Sequence, residues 1–330
     1  MHEGALFRKL RKERGLSINE VATPNLSRAF ISKFERGESQ ISLARFKELV
    51  WQLNLSLEEF FYYQAKESQT AYTLSLKDQD YYFSAPYLTV YDPLMKMGQN
   101  ASLSTADLQA YREMLAELPK EVAWGKHFKI LGQALLYIEE FNQEMRGASA
   151  EVQKQFNLEE FAASYHQQGR PIISYLFSVE NWGIYELILF RSSFFLMPLE
   201  TLHSLLKTAL ARSKELEAIA GMNQLQMDII FGAFTAFANF KRFAWAQETL
   251  DIAESRLKDK RDFFNSTLLL FFKGWNFFIR GAKEKGQEKC QQALSIFKIL
   301  QQPSYYQELL KIYEWIVQAV DHPESGAMFL

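Results

Sequence analysis

Four glycines sit inside long aromatic helical stretches and recur at nearly constant spacing. They are Gly132 in Ile-Leu-Gly-Gln-Ala-Leu-Leu-Tyr, Gly183 in Asn-Trp-Gly-Ile-Tyr-Glu-Leu, Gly232 in Ile-Phe-Gly-Ala-Phe and Gly274 in Phe-Lys-Gly-Trp-Asn-Phe-Phe. The intervals between them are 51, 49 and 42 residues. A glycine inside a helix costs about 1 kcal/mol relative to alanine, so its recurrence points to a close helix–helix contact made once per unit. Each long helix is followed by a shorter Ala/Leu-rich one. A period of about 40–50 residues built of helix pairs describes an α-solenoid, in which each pair buries its faces only against its neighbours. Gly and Pro are otherwise scarce, 15 and 8 in 330 residues, which argues against the turn-rich β classes. The chain reads as all-α.

The first 65 residues follow a different rule. Ser17, Ser27, Ser42 and Ser56 each precede an apolar pattern of helical period, and a serine oxygen at an N-cap accepts a bond from an orphan backbone N–H. Glu20 and Glu59 stand three residues after Ser17 and Ser56, completing two capping boxes. Gly15 and Gly37 fall where helices must stop. The pattern predicts five short helices at 3–14, 18–23, 28–36, 43–53 and 57–65. Their core is predicted at Phe7, Leu10, Leu16, Val21, Ala22, Ile31, Phe34, Ile41, Phe46, Leu49, Val50 and Leu53.

The second and third of these helices, joined by Pro24-Asn25-Leu26, have helix-turn-helix dimensions. With Ile31 and Phe34 turned inward, Arg28, Ala29, Ser32, Lys33 and Arg36 fall on the outer face of the third helix. That cationic, short-chained face suits a major groove about 12 Å wide. Ser27, Arg28, Ser32, Lys33 and Arg36 are the expected readers of base edges. Arg8, Arg11 and Lys12 on the first helix are the expected phosphate contacts. Charge agrees: residues 1–47 hold ten Lys/Arg and five Asp/Glu, whereas the remainder holds 27 basic and 34 acidic residues. A basic head on an acidic body fits a polyanionic partner for the head.

The string from Leu16 to Ser39 resembles the XRE-type helix-turn-helix of phage repressors. Its end, Ser-Lys-Phe-Glu-Arg-Gly-Glu-Ser, followed by Ile41-Ser-Leu43, resembles more particularly the Rgg/GadR/MutR regulators of low-GC Gram-positive bacteria. The segment Glu-Asn-Trp-Gly-Ile-Tyr-Glu-Leu-Ile-Leu-Phe at 180–190 is again similar to the middle of Rgg-type proteins. The resemblance implies a transcription regulator with a head at 1–65, an irregular linker at 66–103 carrying one or two helices, and a repeat body at 104–330. It implies that the body dimerises and binds a short hydrophobic signalling peptide. Lys273 to Pro303, with Gly274, Phe277, Gly286, Ala293, Leu294 and Phe297, most resembles a tetratricopeptide repeat, with a turn read as about seven residues longer than standard.

Superhelical repeats leave a groove lined by the first helix of each pair. Placing each glycine at the eighth position of such a helix assigns the lining to Lys126, Lys129, Gln133 and Tyr137 at one end. Gln226, Ile229 and Phe237, then Phe271, Trp275 and Phe278, line the other. The alternative is that these rings are ordinary inter-repeat core.

Other chemistries find no support. Cys290 is the single cysteine, which excludes an intrachain disulfide and a Cys-based zinc site. The five histidines are scattered at 2, 127, 166, 203 and 322, without a metal-binding pairing. No phosphate-cradling glycine loop and no Gly-x-Ser-x-Gly elbow occurs, so neither a cofactor nor an enzymatic activity is expected. No apolar run reaches the roughly 18–20 residues of a membrane span, and the chain is expected to be cytoplasmic. One short helix reads too few base pairs for genomic specificity, so a homodimer on a two-fold operator in double-stranded DNA is expected. The apolar C-terminal helix at 305–320 is its anchor. A regulator without a peptide ligand, and a repeat scaffold whose head binds protein, stay open as alternatives.

Overall fold

The computed structural model describes residues 2–68, 74–76, 79–81, 103–118, 123–147, 149, 158–218 and 221–321. They fall into two compact units, within residues 1–89 and 90–330. The expected irregular linker at 66–103 lies mostly outside the described residues.

The first unit contains α1 (Glu3–Glu13), α2 (Arg28–Glu35), α3 (Leu43–Trp51), α4 (Leu57–Ser68) and a small antiparallel hairpin. The hairpin pairs β1 (Leu74–Leu76) with β2 (Gln79–Tyr81), Leu74 opposite Tyr81. Ser27 and Ser42 cap α2 and α3 through their side chains. The Ser56/Glu59 capping box opens α4 with bonds of 2.8 and 3.0 Å. Gly15 and Gly37 take φ of 69° and 77°, a left-handed conformation that a side chain would strain. The core is a run of rings, Phe7 on Phe34, Phe34 on Phe46 and Phe46 on Phe60, with centroids 5.0–6.3 Å apart. Leu16, Ala22 and Ile41 are only half-buried, while Leu6, Leu26, Leu55 and Phe60 join the core.

The helix predicted at 18–23 is a single turn. Its capping box forms, Ser17 N–H to Glu20 at 2.7 Å, but the helix does not propagate. Pro24 disfavours the helical region for Thr23. Thr23 instead exchanges two backbone bonds with Leu26, at 3.1 and 3.0 Å, around the Pro24-Asn25 turn. Glu48 on α3 holds that turn, accepting from Thr23 Oγ1 at 2.5 Å and Asn25 Nδ2 at 3.3 Å.

The regular elements of the second unit, among its described residues, are all helices. It runs α5 (Thr105–Glu117), α6 (Ala123–Gly147), α7 (Leu158–Ser178), α8 (Ile184–Ser192), α9 (Leu199–Arg212), α10 (Met222–Asn239), α11 (Phe243–Leu257), α12 (Phe263–Ile279), α13 (Lys283–Ile299) and α14 (Pro303–Asp321). From α10 onward each helix packs on the next, and α10, α12 and α14 also touch, the layout of stacked helix pairs. One closing device ends α10, α12 and α13. Lys241, Gly281 and Gln301 adopt positive φ, and the following N–H reaches back to the carbonyl of Phe237, Phe277 or Phe297 at 2.8–2.9 Å. This is a Schellman closure.

The repeated glycines do different jobs. Gly274 lies at the α12–α13 crossing, where an added Cβ would meet Cys290 Sγ at 2.5 Å and Gly286 O at 2.9 Å. Gly232 faces the Phe194 ring. Gly183 is the N-cap of α8, with its N–H bonded to Glu186 at 2.7 Å, and is not inside a helix. The turn between α12 and α13 is three residues, Arg280 to Ala282, shorter than the sequence reading, because the Gly281 closure reverses the chain at once.

Candidate functional site

On the first unit, α2 presents its outer face as the sequence predicts. Arg28 and Lys33 are exposed and Ser32 is half-buried, while Ile31 and Phe34 point into the core. Ser27 sits at the N-cap, its Oγ engaged by the Phe30 N–H at 3.3 Å. Arg8 and Lys12 are exposed on α1. Together these side chains give a cationic surface matched to a groove walled by phosphates.

Arg11 does not belong to that surface. It is 6% exposed and Glu35 is 5% exposed. Its Nε and Nη2 donate to the two Glu35 oxygens at 2.6 and 2.9 Å, and Nη1 donates to the Leu16 carbonyl at 2.6 Å. The reason is helical geometry. Arg11 stands four residues after Phe7, and Glu35 four after Ile31, so each continues a core-facing stripe. The phosphate assignment of Arg11 is therefore corrected to a buried ion pair joining α1 to α2.

Arg36 is exposed but occupied. Glu38 accepts from its Nε and Nη2, both at 2.6 Å, and Ser32 Oγ accepts from Nη1 at 2.6 Å. The bond to Glu38 raises the Arg36 pKa above its ordinary value and lowers that of Glu38. Arg28, by contrast, meets among the described residues a neutral acceptor, Asn19 Oδ1, at 3.0 Å.

On the second unit, the predicted groove divides in two. Lys126, Gln133 and Tyr137 are exposed and Lys129 half-buried along α6. Gln226, Ile229, Phe237, Phe271, Trp275 and Phe278 are all buried, at 0–5% exposed. These six are packing residues, which corrects their assignment as lining. Gln226 bonds Ser213 Oγ at 2.7 Å, Phe237 packs on His203 and Trp245, and Trp275 packs on Trp315. The register carried over from the glycines selected the faces turned toward neighbouring helices.

The opposite side of α10 carries half-buried polar residues that the sequence reading missed, Gln224, Asp228 and Thr235. Their spacing of four and seven places them on one stripe. Gln224 donates to Asp228 at 2.9 Å and accepts from Asn265 of α12 at 2.6 Å. Beneath them Phe231 and Phe272, both buried, stack at 4.7 Å. A half-exposed stripe of hydrogen-bonding groups can engage a peptide backbone. The signal was present as polar residues at helical spacing within an otherwise apolar helix.

Elsewhere in this unit, His127 is 6% exposed and bonds the Tyr185 hydroxyl at 2.8 Å. Burial lowers its pKa below the ordinary value. Cys290 is fully buried at the α12–α13 crossing, and burial pushes its thiol up to about 12. That is the reverse of an activated thiolate. Among the described residues no His/Cys/Asp/Glu group could hold a metal ion, and no helix is long and apolar enough to cross a membrane.

Residues 137–310 match the model of the C-terminal domain of the helix-turn-helix-type transcriptional regulator Rgg, and residues 7–60 match a helix-turn-helix model. The fold is similar to that of the SHP pheromone receptor Rgg2 of Streptococcus dysgalactiae, with a TM-score of 0.67 and 23% identity over 95% of this chain and 99% of that one. A Listeria monocytogenes EGD-e structure aligns over 97% of this chain and 98% of its own, with a TM-score of 0.74 and 16% identity. PrgX in its complex with cCF10 aligns over 94% and 97%, with a TM-score of 0.59 and 10% identity.

Proposed function

The chain belongs to the Rgg family of helix-turn-helix transcriptional regulators, and from that premise we propose a peptide-responsive division of labour between its two units. The first unit binds operator DNA in the cytoplasm, with Arg28 and Lys33 toward base edges and Arg8 and Lys12 toward phosphates. Ser27 and Ser32 lie on the same edge. The observation that carries this reading is an outer face of α2 that keeps exposed cations while its inner face is core. A dimer follows from the few base pairs that one short helix reads.

The second unit binds a short hydrophobic peptide along the Gln224–Asp228–Thr235 stripe. The exposed Lys126–Gln133–Tyr137 row is a second surface that a polar or acidic peptide end suits. Support comes from the fold shared with a pheromone receptor and with a peptide-complexed protein.

The test uses the full chain. Binding to the duplex upstream of its own gene should weaken steeply with salt, and fluorescence polarisation with a panel of short hydrophobic peptides should find a ligand. Asp228→Ala should weaken that peptide with melting unchanged. Phe271→Ala should lower melting, at a cost of about 3–5 kcal/mol. Peptide binding indifferent to Asp228 would displace the site from α10, and salt-independent DNA binding would remove the regulator reading of the head.

A further inference from the structure

The two arginines of α2 are treated differently by their surroundings. Arg36 has its Nε–Nη2 edge closed by Glu38 and its Nη1 engaged by Ser32. A guanidinium reads guanine by presenting a pair of donors to O6 and N7, and in Arg36 the Nε–Nη2 pair is taken while Glu38 holds it. Arg28 is bonded at Nη1 alone, by Asn19 Oδ1 at 3.0 Å. Its Nε–Nη2 edge stays open, and its charge is not cancelled, because the amide is neutral.

Asn19 comes from another element. It stands inside the single turn closed by the Ser17/Glu20 box, where the sequence pattern predicts a longer helix. The capping box at Ser17 holds that turn, and the Glu48 bonds to Thr23 and Asn25 hold the Pro24-Asn25 turn that follows it. Asn19 is therefore a fixed post beside a flexible side chain. A side chain restrained at one nitrogen loses less rotamer freedom when its other edge meets a base. The Asn19 amide also keeps two N–H donors of its own beside that edge.

We propose that Asn19 is the specificity-determining positioning residue of this head: it fixes Arg28 so that the Nε–Nη2 edge reads a guanine, while Arg36, held by Glu38, reads none. The inference rests on the reading of this unit as a DNA binder. It assigns the strongest base preference to the N-terminal end of α2 and a weak one to its C-terminal end.

The experiment is selection of bound sequences from a pool of random duplex DNA by the full-length protein, paired with affinity for unselected random duplex at fixed salt. Wild type should yield a motif with a guanine preference in each half-site. Asn19→Ala should reduce that preference on the order of ten-fold, at the same position that Arg28→Ala abolishes, while random-duplex affinity changes less than about two-fold. Asn19→Asp keeps the acceptor, so it should retain the guanine and lower affinity for every duplex. Arg36→Ala should leave that position intact. An Asn19→Ala motif identical to wild type, or one altered at a different position from Arg28→Ala, overturns the proposal. A wild-type selection without any motif overturns the DNA reading beneath it instead.

Discussion

Replacing Arg11 by methionine separates a structural role from a phosphate contact. Arg11 and Glu35 are both about nineteen-twentieths buried and share two charge-assisted bonds, with a third from Arg11 to the Leu16 carbonyl. Removing one member of a buried pair leaves the other charged and unpartnered, at a cost of about 3–5 kcal/mol. Small domains have only about 5–15 kcal/mol of total stability, so Arg11→Met should remove much of what holds α1 to α2. Hydrogen exchange read by mass spectrometry on the full-length protein isolates the head from the repeats. At about 1.4 kcal/mol per factor of ten, amides of α1 and α2 should exchange roughly 100- to 1,000-fold faster or more, with the repeat helices unchanged. The double variant Arg11→Met/Glu35→Leu should recover most of the protection, because replacing both partners by apolar groups is nearly neutral. If Arg11→Met leaves exchange unaltered and only lowers DNA affinity, with a salt slope smaller by about 0.9, the residue contacts phosphate and the buried-pair argument fails.

Gly274→Ala should lower the melting temperature by an amount corresponding to about 1–3 kcal/mol, since its Cβ would press on Cys290 and on the Gly286 carbonyl. Gly232→Ala meets only the Phe194 ring, at 3.2 Å, and calorimetry should find it near neutral; equal losses at both sites would contradict the crossing geometry. Glu38→Gln frees Arg36 and removes a carboxylate near the DNA face, so affinity for any duplex should rise and log K against log salt should steepen by about 0.9. An unchanged slope would mean that Arg36 stays away from DNA. Burial lowers the pKa of His127, so folding favours its neutral form: that stability is complete above the ordinary histidine value of about 6.5 and declines as pH falls through it. Melts at pH 7.5 and 5.5 should show a smaller acid loss for His127→Gln than for wild type, and an identical loss would place the acid sensitivity elsewhere.

Most of the fold was legible because local signals and packing agree. The serine caps at 27, 42 and 56 all form, since an exposed N-terminus needs a donor-satisfying side chain whatever the helix packs against. Four internal glycines looked alike in sequence, yet Gly183 ends up as a cap and Gly274 as a crossing point. Spacing reports that a glycine recurs; only the neighbouring helix decides what it touches. The positive-φ closures were half visible. Gly281 announces one, whereas Lys241 and Gln301 adopt the same conformation without a glycine to mark it.

The functional surfaces were harder to read, and one cause accounts for several misplacements. Charge alone points a residue outward, whereas the core stripe of its own helix can continue through it and bury it. Phe7, Leu10 and Arg11 follow one stripe, and Ile31, Phe34 and Glu35 follow another; opposite charges ending two facing apolar stripes are the sequence mark of a buried pair. The same test explains the repeat helices. Gln226 lies on the stripe of Ile229 and Phe237 and is buried with them, whereas Gln224, Asp228 and Thr235 interrupt no stripe and remain half-exposed. Arg36 is a different case. It is exposed, but Glu38 two residues on takes its donors, and net charge over residues 1–47 counts both without saying that they meet. What a head offers to DNA is thus set by which cations lack a carboxylate bond, and between the two arginines of α2 that criterion separates Arg28, bonded among the described residues to an amide, from Arg36, bonded to Glu38.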